Sequence, residues 1–322
     1  IRRQRQLCIR DRYNDYLTQW GISFSRLELK ASEKSGWTPV PRQFPSITMA
    51  YSGVLEWDAP PPNQGSNISL IPYLSGMIDS PEKNFTSNQF NPGADIKLNL
   101  TSSLNLDITI NPDFSQDLVD QQETNLARFD LFFPVCSEFF LVNADLFGNF
   151  GYDNIRPFFS RRIGLENPII GGIRLSGNVD EKWRVGLLDI QTQEDSEKGL
   201  PAENFGVFSL QRKVLDRSTI GMIFVNKQSS GELKKKNTSI EDYNRNIGLE
   251  YNYFSADNLW NGKLMYLKSF SPDIRDDNAI IASNITYNDN HFLGSLQAEY
   301  VGQNYNAEVG YVPRSNYYKI DT

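Results

Sequence analysis

Alternation between apolar and polar residues is the feature of this sequence that most restricts its fold. Between positions 96 and 110 the apolar residues share one parity: Ile96, Leu98, Leu100, Leu104, Leu106, Ile108 and Ile110. A β-strand places residues of one parity on one face, whereas a helix would spread them around its axis. The polar run Thr101-Ser102-Ser103 interrupts the pattern, so we predict a hairpin of two strands rather than one long strand.

The same alternation recurs in three later stretches, at residues 247–253, 292–300 and 305–311. In each of them one parity is apolar or aromatic and the other is mostly polar, which predicts further strands with two unlike faces. Period-two segments bounded by turn residues suggest roughly eleven to thirteen strands in all. The predicted fold class is therefore all-β.

The connections between the predicted strands alternate in length. Short turns fall near Asn178–Lys182, Leu215–Arg217, Ser255–Asn258 and Asp289–Asn290, and longer polar loops fall at residues 193–203, 228–242 and 271–277. Short turns at one end and long loops at the other are typical of outer-membrane barrels. We therefore predict an antiparallel up-and-down transmembrane β-barrel in the outer membrane of a Gram-negative bacterium. A soluble β-sandwich, which would cover the apolar face with a second sheet, is the alternative.

Composition agrees with this prediction and argues against several functions. No apolar run reaches the roughly 18 residues that a membrane-spanning helix needs. A mean hydropathy of -0.47 fits barrel strands, because their lipid-facing and lumen-facing residues average out. The net charge of -7 argues against a nucleic-acid partner. One histidine, His291, and two cysteines, Cys8 and Cys136, leave little for a catalytic triad or a zinc site, so we predict neither a cofactor nor a metal.

The two ends of the sequence differ from the rest. Ile1–Arg12 contains five arginines and resembles translated sequencing-adapter read-through, so we expect residues 1–12 to be an artefact; a natural basic arm is the alternative. This stretch lacks the apolar region and the cleavage site of a targeting signal. The sequence also stops just after a strand-like segment. We therefore expect a fragment truncated at both ends, with an incomplete, open portion of the barrel.

An aromatic-rich stretch without a sustained period separates the early hairpin from the later strands. We predict that residues 112–167 form an irregular insertion that plugs or caps the lumen. Its acidic residues Asp113, Asp117 and Asp120 are candidate ligand-binding groups. Alternate oxygen-bearing side chains here also fit a calcium loop, although Gln116 replaces the required glycine. A solvated turn and a pair of glycosidase carboxylates are the other interpretations.

Two arginines in the same stretch form a second candidate site. Arg161 and Arg162 directly follow Phe158 and Phe159. Arginine binds carboxylates and phosphates through paired hydrogen bonds, so these side chains could hold an anionic headgroup or a sugar acid. A structural ion pair with nearby acidic residues is the alternative.

Several long motifs resemble one protein family. They are ADIKLNLTSSLNLDITINPDFSQ at 94–116, NLARFDLFFP at 125–134, FFLVNADLF at 139–147, PFFSRRIGL at 157–165 and PIIGGIRLSG at 168–177. These motifs resemble the DUF5916 family of Bacteroidota-type bacteria. The chain departs from the family where FFPEKRPFFLE is usual, because Val135, Cys136, Ser137 and Glu138 follow Pro134.

The resemblance implies a domain organisation. In the family, a module similar to carbohydrate-binding family 9 precedes a C-terminal outer-membrane barrel. Residues 13–42 would then be the end of this β-sandwich module with its linker, and residues 43–322 would be part of the barrel. Trp20 and Trp37 would belong to the module remnant and could stack on sugar rings. Packing at the domain junction is the alternative for both tryptophans.

The function implied by the resemblance is glycan binding or handling at the cell surface by an outer-membrane protein. Its partners would be the lipid bilayer and carbohydrate. A polysaccharide-acting glycoside hydrolase that uses the acidic cluster is one alternative. A ligand-free scaffold barrel for a partner protein is another. No residue is assigned as catalytic.

Overall fold

The structure of the protein is a computed structural model. It describes residues 18–28, 33–39, 52–59, 67–82, 85–101, 103–112, 139, 143–164, 167–196, 198–215, 217–236, 241–257, 259–272, 274, 276–289 and 291–322. The chain divides into two compact units. One comprises Ile1–Ser66 with Asn288–Phe292, and the other comprises Asn67–Tyr287 with Leu293–Thr322. The predicted boundary at residue 42 lies outside the described residues and stays a prediction.

Four short strands occur in the described part of the first unit. They are β1 Gln19–Ile22, β2 Ser25–Glu28, β3 Glu33–Gly36 and β4 Gly53–Glu56. β1 pairs with β4 and β2 pairs with β3, both in antiparallel register. These are two separate two-stranded sheets.

Twelve strands of the described residues form one sheet in the second unit. They are β5 Ile68–Glu82, β6 Phe85–Asn99, β7 Leu104–Ile110, β8 Ile169–Asn178, β9 Trp183–Thr192, β10 Ala202–Val214, β11 Ser218–Ser230, β12 Tyr243–Phe254, β13 Trp260–Phe270, β14 Ala279–Asn288, β15 Leu293–Val301 and β16 Tyr317–Asp321. Each strand pairs with the next along the chain, so the sheet is an antiparallel meander. The all-β prediction is confirmed. With the four strands of the first unit the described residues contain sixteen strands, more than the eleven to thirteen predicted.

Helices are few and short in the described residues. α1 is a single turn, Asp145–Gly148, and α2 is Glu232–Lys236 in the loop between β11 and β12. A 3₁₀ turn covers Ser160–Arg162. No helix that the structure describes is both long enough and apolar enough to cross a membrane.

The turns follow the sequence prediction. β6 and β7 form the predicted hairpin, and Thr101 Oγ1 accepts hydrogen bonds from the backbone N–H of Ser103 (3.2 Å) and Leu104 (3.0 Å). Aspartate closes other short turns in the same way. Asp180 Oδ1 accepts from the N–H of Lys182 and of Trp183, both at 2.7 Å. Such carboxylate-to-backbone bonds favour turns because they satisfy N–H groups that no strand pairs.

The sheet has two unlike faces, as the alternation predicted. The open face carries exposed apolar side chains on β8, β9 and β11 to β14: Ile173, Leu187, Ile220, Leu249, Leu264, Tyr266, Ile281 and Ile285. The packed face carries the opposite parity and is buried. On β12, for example, Leu249 is 51% exposed whereas its neighbour Glu250 is 7% exposed. On β12 the apolar parity is therefore the exposed one.

The core of the second unit lies on the packed face. Strand residues there include Leu188, Ile190, Phe205, Val207, Ile223, Val225, Met265, Leu267, Ile280 and Ala282. They form one hydrophobic cluster with residues of two non-strand segments. We call residues 143–164 the inner segment, and it contributes Leu146, Phe147, Phe150, Ile155, Phe158 and Ile163.

The other non-strand segment, residues 302–316 between β15 and β16, corrects one sequence prediction. The alternation at residues 305–311 predicted a strand, but no strand lies between Val301 and Tyr317 in this described stretch. Tyr305 and Val309 are instead buried in the core. The backbone of Tyr311 exchanges hydrogen bonds with Arg156 of the inner segment at 2.8 and 3.0 Å, so its pairing groups are used inside the unit. An irregular segment that buries residues of one parity has the same alternation of apolar and polar residues in its sequence as a strand.

Candidate functional site

The inner segment reaches the packed face through α1. Leu146 and Phe147 are buried there. Ser209 Oγ on β10 donates a hydrogen bond to the Leu146 carbonyl at 2.6 Å. Arg184 on β9 donates to both carboxylate oxygens of Asp145, at 2.7 and 3.2 Å. A two-point charge-assisted contact of this kind fixes the orientation of the helix relative to the strands.

Glycines on the packed face make room for two phenylalanines of the inner segment. A Cβ on Gly186 would lie 2.7 Å from the ring of Phe147. A Cβ on Gly248 would lie 2.8 Å from the ring of Phe150 and 2.5 Å from Leu267 Cδ2. Real Cβ atoms do not approach so closely, so the two glycines are what allow the rings to reach the sheet.

A buried ion pair holds the next turn of the inner segment. Lys263 Nζ on β13 lies 3.3 Å from Glu250 Oε2 on β12. The backbone N–H of Gly151 donates to Glu250 Oε2 at 3.0 Å, and Lys263 Nζ donates to the Gly151 carbonyl at 2.7 Å. Gly151 has a φ of 96°, and a Cβ there would lie 2.1 Å from the Ile155 carbonyl oxygen. Glycine is therefore required at this contact.

Tyr152 adds a neutral contact beside this pair. Its hydroxyl lies 3.0 Å from the Lys263 carbonyl and 3.2 Å from Asn284 Oδ1. Burial raises the pKa of the Tyr152 hydroxyl well above its ordinary value, and the negative charges of Glu299 and Glu250 raise it further. The group stays protonated and acts as a hydrogen-bond donor.

A cavity of about 280 Å³ lies next to α1. The sheet contributes Gln211, Thr219, Glu250, Asn252 and Lys263 to its wall, and the inner segment contributes Asp145, Leu146, Asn149 and Phe150. Asn252 Nδ2 lies 3.0 Å from Glu250 Oε1 and 3.3 Å from Thr219 Oγ1. The wall is therefore polar and internally hydrogen-bonded. Phe254, at the end of β12, also borders the cavity.

Three further ion pairs, formed by two cations, tie other parts of the packed face together. Arg174 on β8 is 1% exposed and donates through Nε to Asp107 on β7 at 3.2 Å. Lys227 on β11 lies 2.9 Å from both Glu203 on β10 and Glu308 of the buried segment after β15. Buried charges need such partners because an isolated one is very costly.

The ligand-binding residues that the structure describes among those predicted from sequence do not line this cavity. Asp113, Asp117 and Asp120 lie outside the described residues. Arg161 and Arg162 lie in the 3₁₀ turn of the inner segment, the first half-buried and the second exposed, and neither borders the cavity.

The two predicted tryptophans belong to the first unit. Trp20 packs edge-on against Trp57 with ring centroids 5.2 Å apart. Trp37 packs edge-on against Phe24 at 5.6 Å and is 58% exposed. Both interpretations, sugar stacking and packing, remain compatible with these contacts.

The residues that line the cavity were missed because nothing in their local sequence marks them. Glu250 and Asn252 were recognised only as members of a polar strand face. Glu250 contacts Lys263 on the neighbouring strand and Gly151, which is 99 residues away along the chain. A usable signal was the pair of opposite charges, Glu250 and Lys263, at packed-face positions of adjacent strands. In the described residues, no group of three or more His, Cys, Asp or Glu side chains could hold a metal ion.

A comparison with protein families finds one match. The model described as "Domain of unknown function (DUF5916)" matches residues 66–178. The chain carries a DUF5916 domain. The DUF5916 domain spans β5 to β8 and includes the inner segment, so it contributes Asp145 and Asn149 to the cavity but none of the strands β9 to β13. The recognition of DUF5916 from sequence motifs is confirmed. A search of the curated proteins finds no match to the chain.

Proposed function

We propose that β5 to β16 form the wall of a transmembrane β-barrel in the outer membrane of a Gram-negative bacterium, with the inner segment inside the lumen. The proposal rests on the exposure of apolar side chains on the open face of the sheet. A soluble protein rarely leaves a contiguous apolar surface in water, because each Å² of it costs about 25 cal/mol. A lipid bilayer would cover this face.

The dimensions of the open face support the proposal. β13 is 11 residues long, with Trp260 and Phe270 at its two ends and Leu264 and Tyr266 between them on the same face. At about 3.3 Å per residue, Trp260 and Phe270 are about 33 Å apart along the strand. A tilt of about 40° reduces this to about 25 Å along the membrane normal, which is the height of the apolar band of outer-membrane barrels.

Aromatic residues at the strand ends support it as well. Trp260 and Tyr287 contact each other at 4.9 Å near the short turns, and Tyr251 and Tyr253 lie 6.4 Å apart in the same region. Aromatic girdles at the two membrane interfaces are a feature of outer-membrane barrels. Short turns would face the periplasm and long loops the cell exterior.

Fractionation of cells that make the protein tests this proposal. We expect the full chain in the outer-membrane fraction, resistant to carbonate extraction and solubilised by detergent. The edges of β5 and β16 must be paired in lipid, since each unsatisfied backbone group there costs several kcal/mol. We therefore also expect residues 13–322 to require detergent. Recovery as a monodisperse soluble periplasmic monomer would contradict the proposal.

Glycan binding by the first unit is a second candidate function, favoured by the exposure of Trp37. Its ring lies against Gly53, where a Cβ would be 2.4 Å from Cζ3, and 58% of the residue remains accessible. A flat, exposed aromatic ring can stack on the apolar face of a sugar. We expect Trp37→Ala to weaken glycan-array binding by the detergent-solubilised full chain. Leu27→Ala, an exposed apolar residue of β2, is the matched control. Equal binding by both variants would reject this role.

A further inference from the structure

The charged groups in the wall of the cavity are already paired. Asp145 binds Arg184, and Glu250 binds Lys263, the Gly151 N–H and Asn252. The two acids and two bases therefore neutralise each other. An ionic ligand would have to compete with one of these pairs. Breaking the shielded Glu250–Lys263 pair is strongly unfavourable, whereas the Asp145–Arg184 pair is partly exposed.

Uncharged amides in the same wall keep unused hydrogen-bonding capacity. Among the described residues, none bonds to the side chain of Asn149, to Gln211 Nε2 or to Asn252 Oδ1. Gln211 Oε1 accepts one bond, from Arg184 at 3.3 Å. An amide offers both donors and acceptors, and so does a hydroxyl group. The unused groups thus match a ligand with several hydroxyls.

Aromatic rings border the polar groups. Phe150 is buried and Phe254 is 48% exposed, and both line the cavity. Ring faces and edges provide apolar surface for the C–H groups of a ligand that carries hydroxyls on its rim. The combination of a few polar groups with aromatic surface is typical of small-molecule sites.

The size of the cavity sets an upper limit on the ligand. Its volume is about 280 Å³. This corresponds to the liquid volume of about nine water molecules and lies just below the range of drug-sized pockets. A single sugar ring fits such a space, so the cavity holds at most one ring of a longer saccharide.

We infer that this cavity binds a neutral, polyhydroxylated molecule of the size of one monosaccharide. Asn149, Gln211 and Asn252 bind its hydroxyls, and Phe254 covers the mouth. The inference rests on the proposed barrel only in one respect, which is the side of the membrane from which the ligand reaches the cavity. Phe254 directly precedes a short turn, which in an outer-membrane barrel faces the periplasm.

Saturation-transfer NMR on the full chain tests binding directly. The protein is solubilised in lauryldimethylamine oxide, because a detergent with a sugar headgroup would compete. The probes are D-glucose and D-galactose, with D-glucuronate and D-glucosamine as charged analogues and maltotriose as a larger one. We expect signal from the neutral monosaccharides and at least about tenfold weaker binding of the charged analogues and of maltotriose.

Two variants locate the site. Gln211→Leu removes an amide from the wall and should weaken monosaccharide binding about tenfold, the effect of one or two lost hydrogen bonds. Gln303→Leu is the matched control, because Gln303 is exposed and its hydrogen bond within the described residues uses the backbone N–H. Asn149→Ala serves as a second variant, since its exposed side chain makes no structural hydrogen bond among the described residues.

Three results would overturn the inference. These are absence of saturation transfer from folded wild-type protein, tighter binding of a charged analogue than of the neutral sugars, and unchanged binding in both cavity variants. Folding is checked by circular dichroism and by heat-dependent gel mobility. Because membrane location is measured independently by fractionation, failure of ligand binding leaves the barrel proposal standing.

Discussion

Lys263 and Glu250 lie 3.3 Å apart on adjacent strands, and both also bind the backbone of Gly151. One ion pair thus joins β12, β13 and the inner segment. The pair is shielded, because the Glu250 side chain is 6% exposed and the Lys263 side chain 20% exposed. It is one of several contacts that hold the inner segment on the packed face, together with the Arg184–Asp145 pair and the Ser209–Leu146 hydrogen bond.

Removal of the Lys263 charge is expected to destabilise the protein strongly. Lys263→Met leaves Glu250 buried without its cation, which costs about 3 kcal/mol. Urea unfolding in detergent micelles measures the loss. Lys235→Met is the control, because Lys235 pairs with Glu232 on the exposed surface of α2 and should show no measurable loss. Equal effects of the two substitutions would show that the buried pair does not anchor the inner segment.

Glycine-to-alanine substitutions on the two faces of the sheet should change the free energy of unfolding differently. Gly248→Ala places a Cβ against Phe150, Leu267 and Ile223, so we expect a loss of about 1–3 kcal/mol from overpacking. Gly206→Ala meets no atom closer than 3.8 Å and should be neutral or stabilising by about 0.4–1 kcal/mol, since alanine restricts the unfolded chain. Unfolding free energies of both variants test this. A tolerated alanine at 248 would mean that Phe150 is not held against β12.

An arginine on the open face tests contact with lipid. Leu264 lies in the middle of β13 and Phe270 at its end, on the same face. In lipid vesicles we expect Leu264→Arg to cost about 2–4 kcal/mol of unfolding free energy, and Phe270→Arg about 0–1 kcal/mol, because the cost of a charge falls from the midplane to the interface. A similar cost at both positions would argue against a spanning strand.

The turn at Asp180 should loosen in acid. The backbone N–H groups of Lys182 and Trp183 bind the carboxylate and lower the pKa of Asp180 below its ordinary value of 3.8. A depressed folded pKa means that this stabilisation is fully present above pH 3.8 and is lost as the pH falls through the lower folded value.

Hydrogen exchange of the hairpin around Asp180 measures this effect. We expect the protection of the Trp183 N–H to fall in the wild type as the pH is lowered below 3.8. Asp180→Asn keeps the acceptor oxygen without a titrating group, so its protection should not change beyond the intrinsic exchange rate. If the protection of the Trp183 N–H fell equally in the wild type and in Asp180→Asn, a group other than Asp180 would cause the acid response.

Much of the fold was predictable because local patterns encode it. The hairpin at residues 85–110 follows from alternation around the Thr101–Ser103 turn. The meander follows from the spacing of turn residues such as Asp180 and Asp257, which bind nearby N–H groups. The buried segment around Val309 could not be separated from a strand, because both hide every second side chain.

The candidate site was much less predictable. Glu250 and Lys263 are charged residues on polar strand faces, and the sequence does not distinguish them from solvated positions. Their role depends on Gly151, which is 99 residues from Glu250 along the chain. The two arginines that stood out in the sequence do not border the cavity, and the acidic cluster lies outside the described residues.

The sequence by itself determined the strands, their order and the chemical difference between the two faces of the sheet, because period-two alternation and turn residues act over a few neighbouring positions. Only the tertiary structure decided which face is packed. The packed face lies against the inner segment, whose phenylalanines and Gly151 N–H meet Gly186, Gly248 and Glu250 across long distances in sequence. Such contacts arise from complementary shape and charge between distant segments, and no local pattern records them.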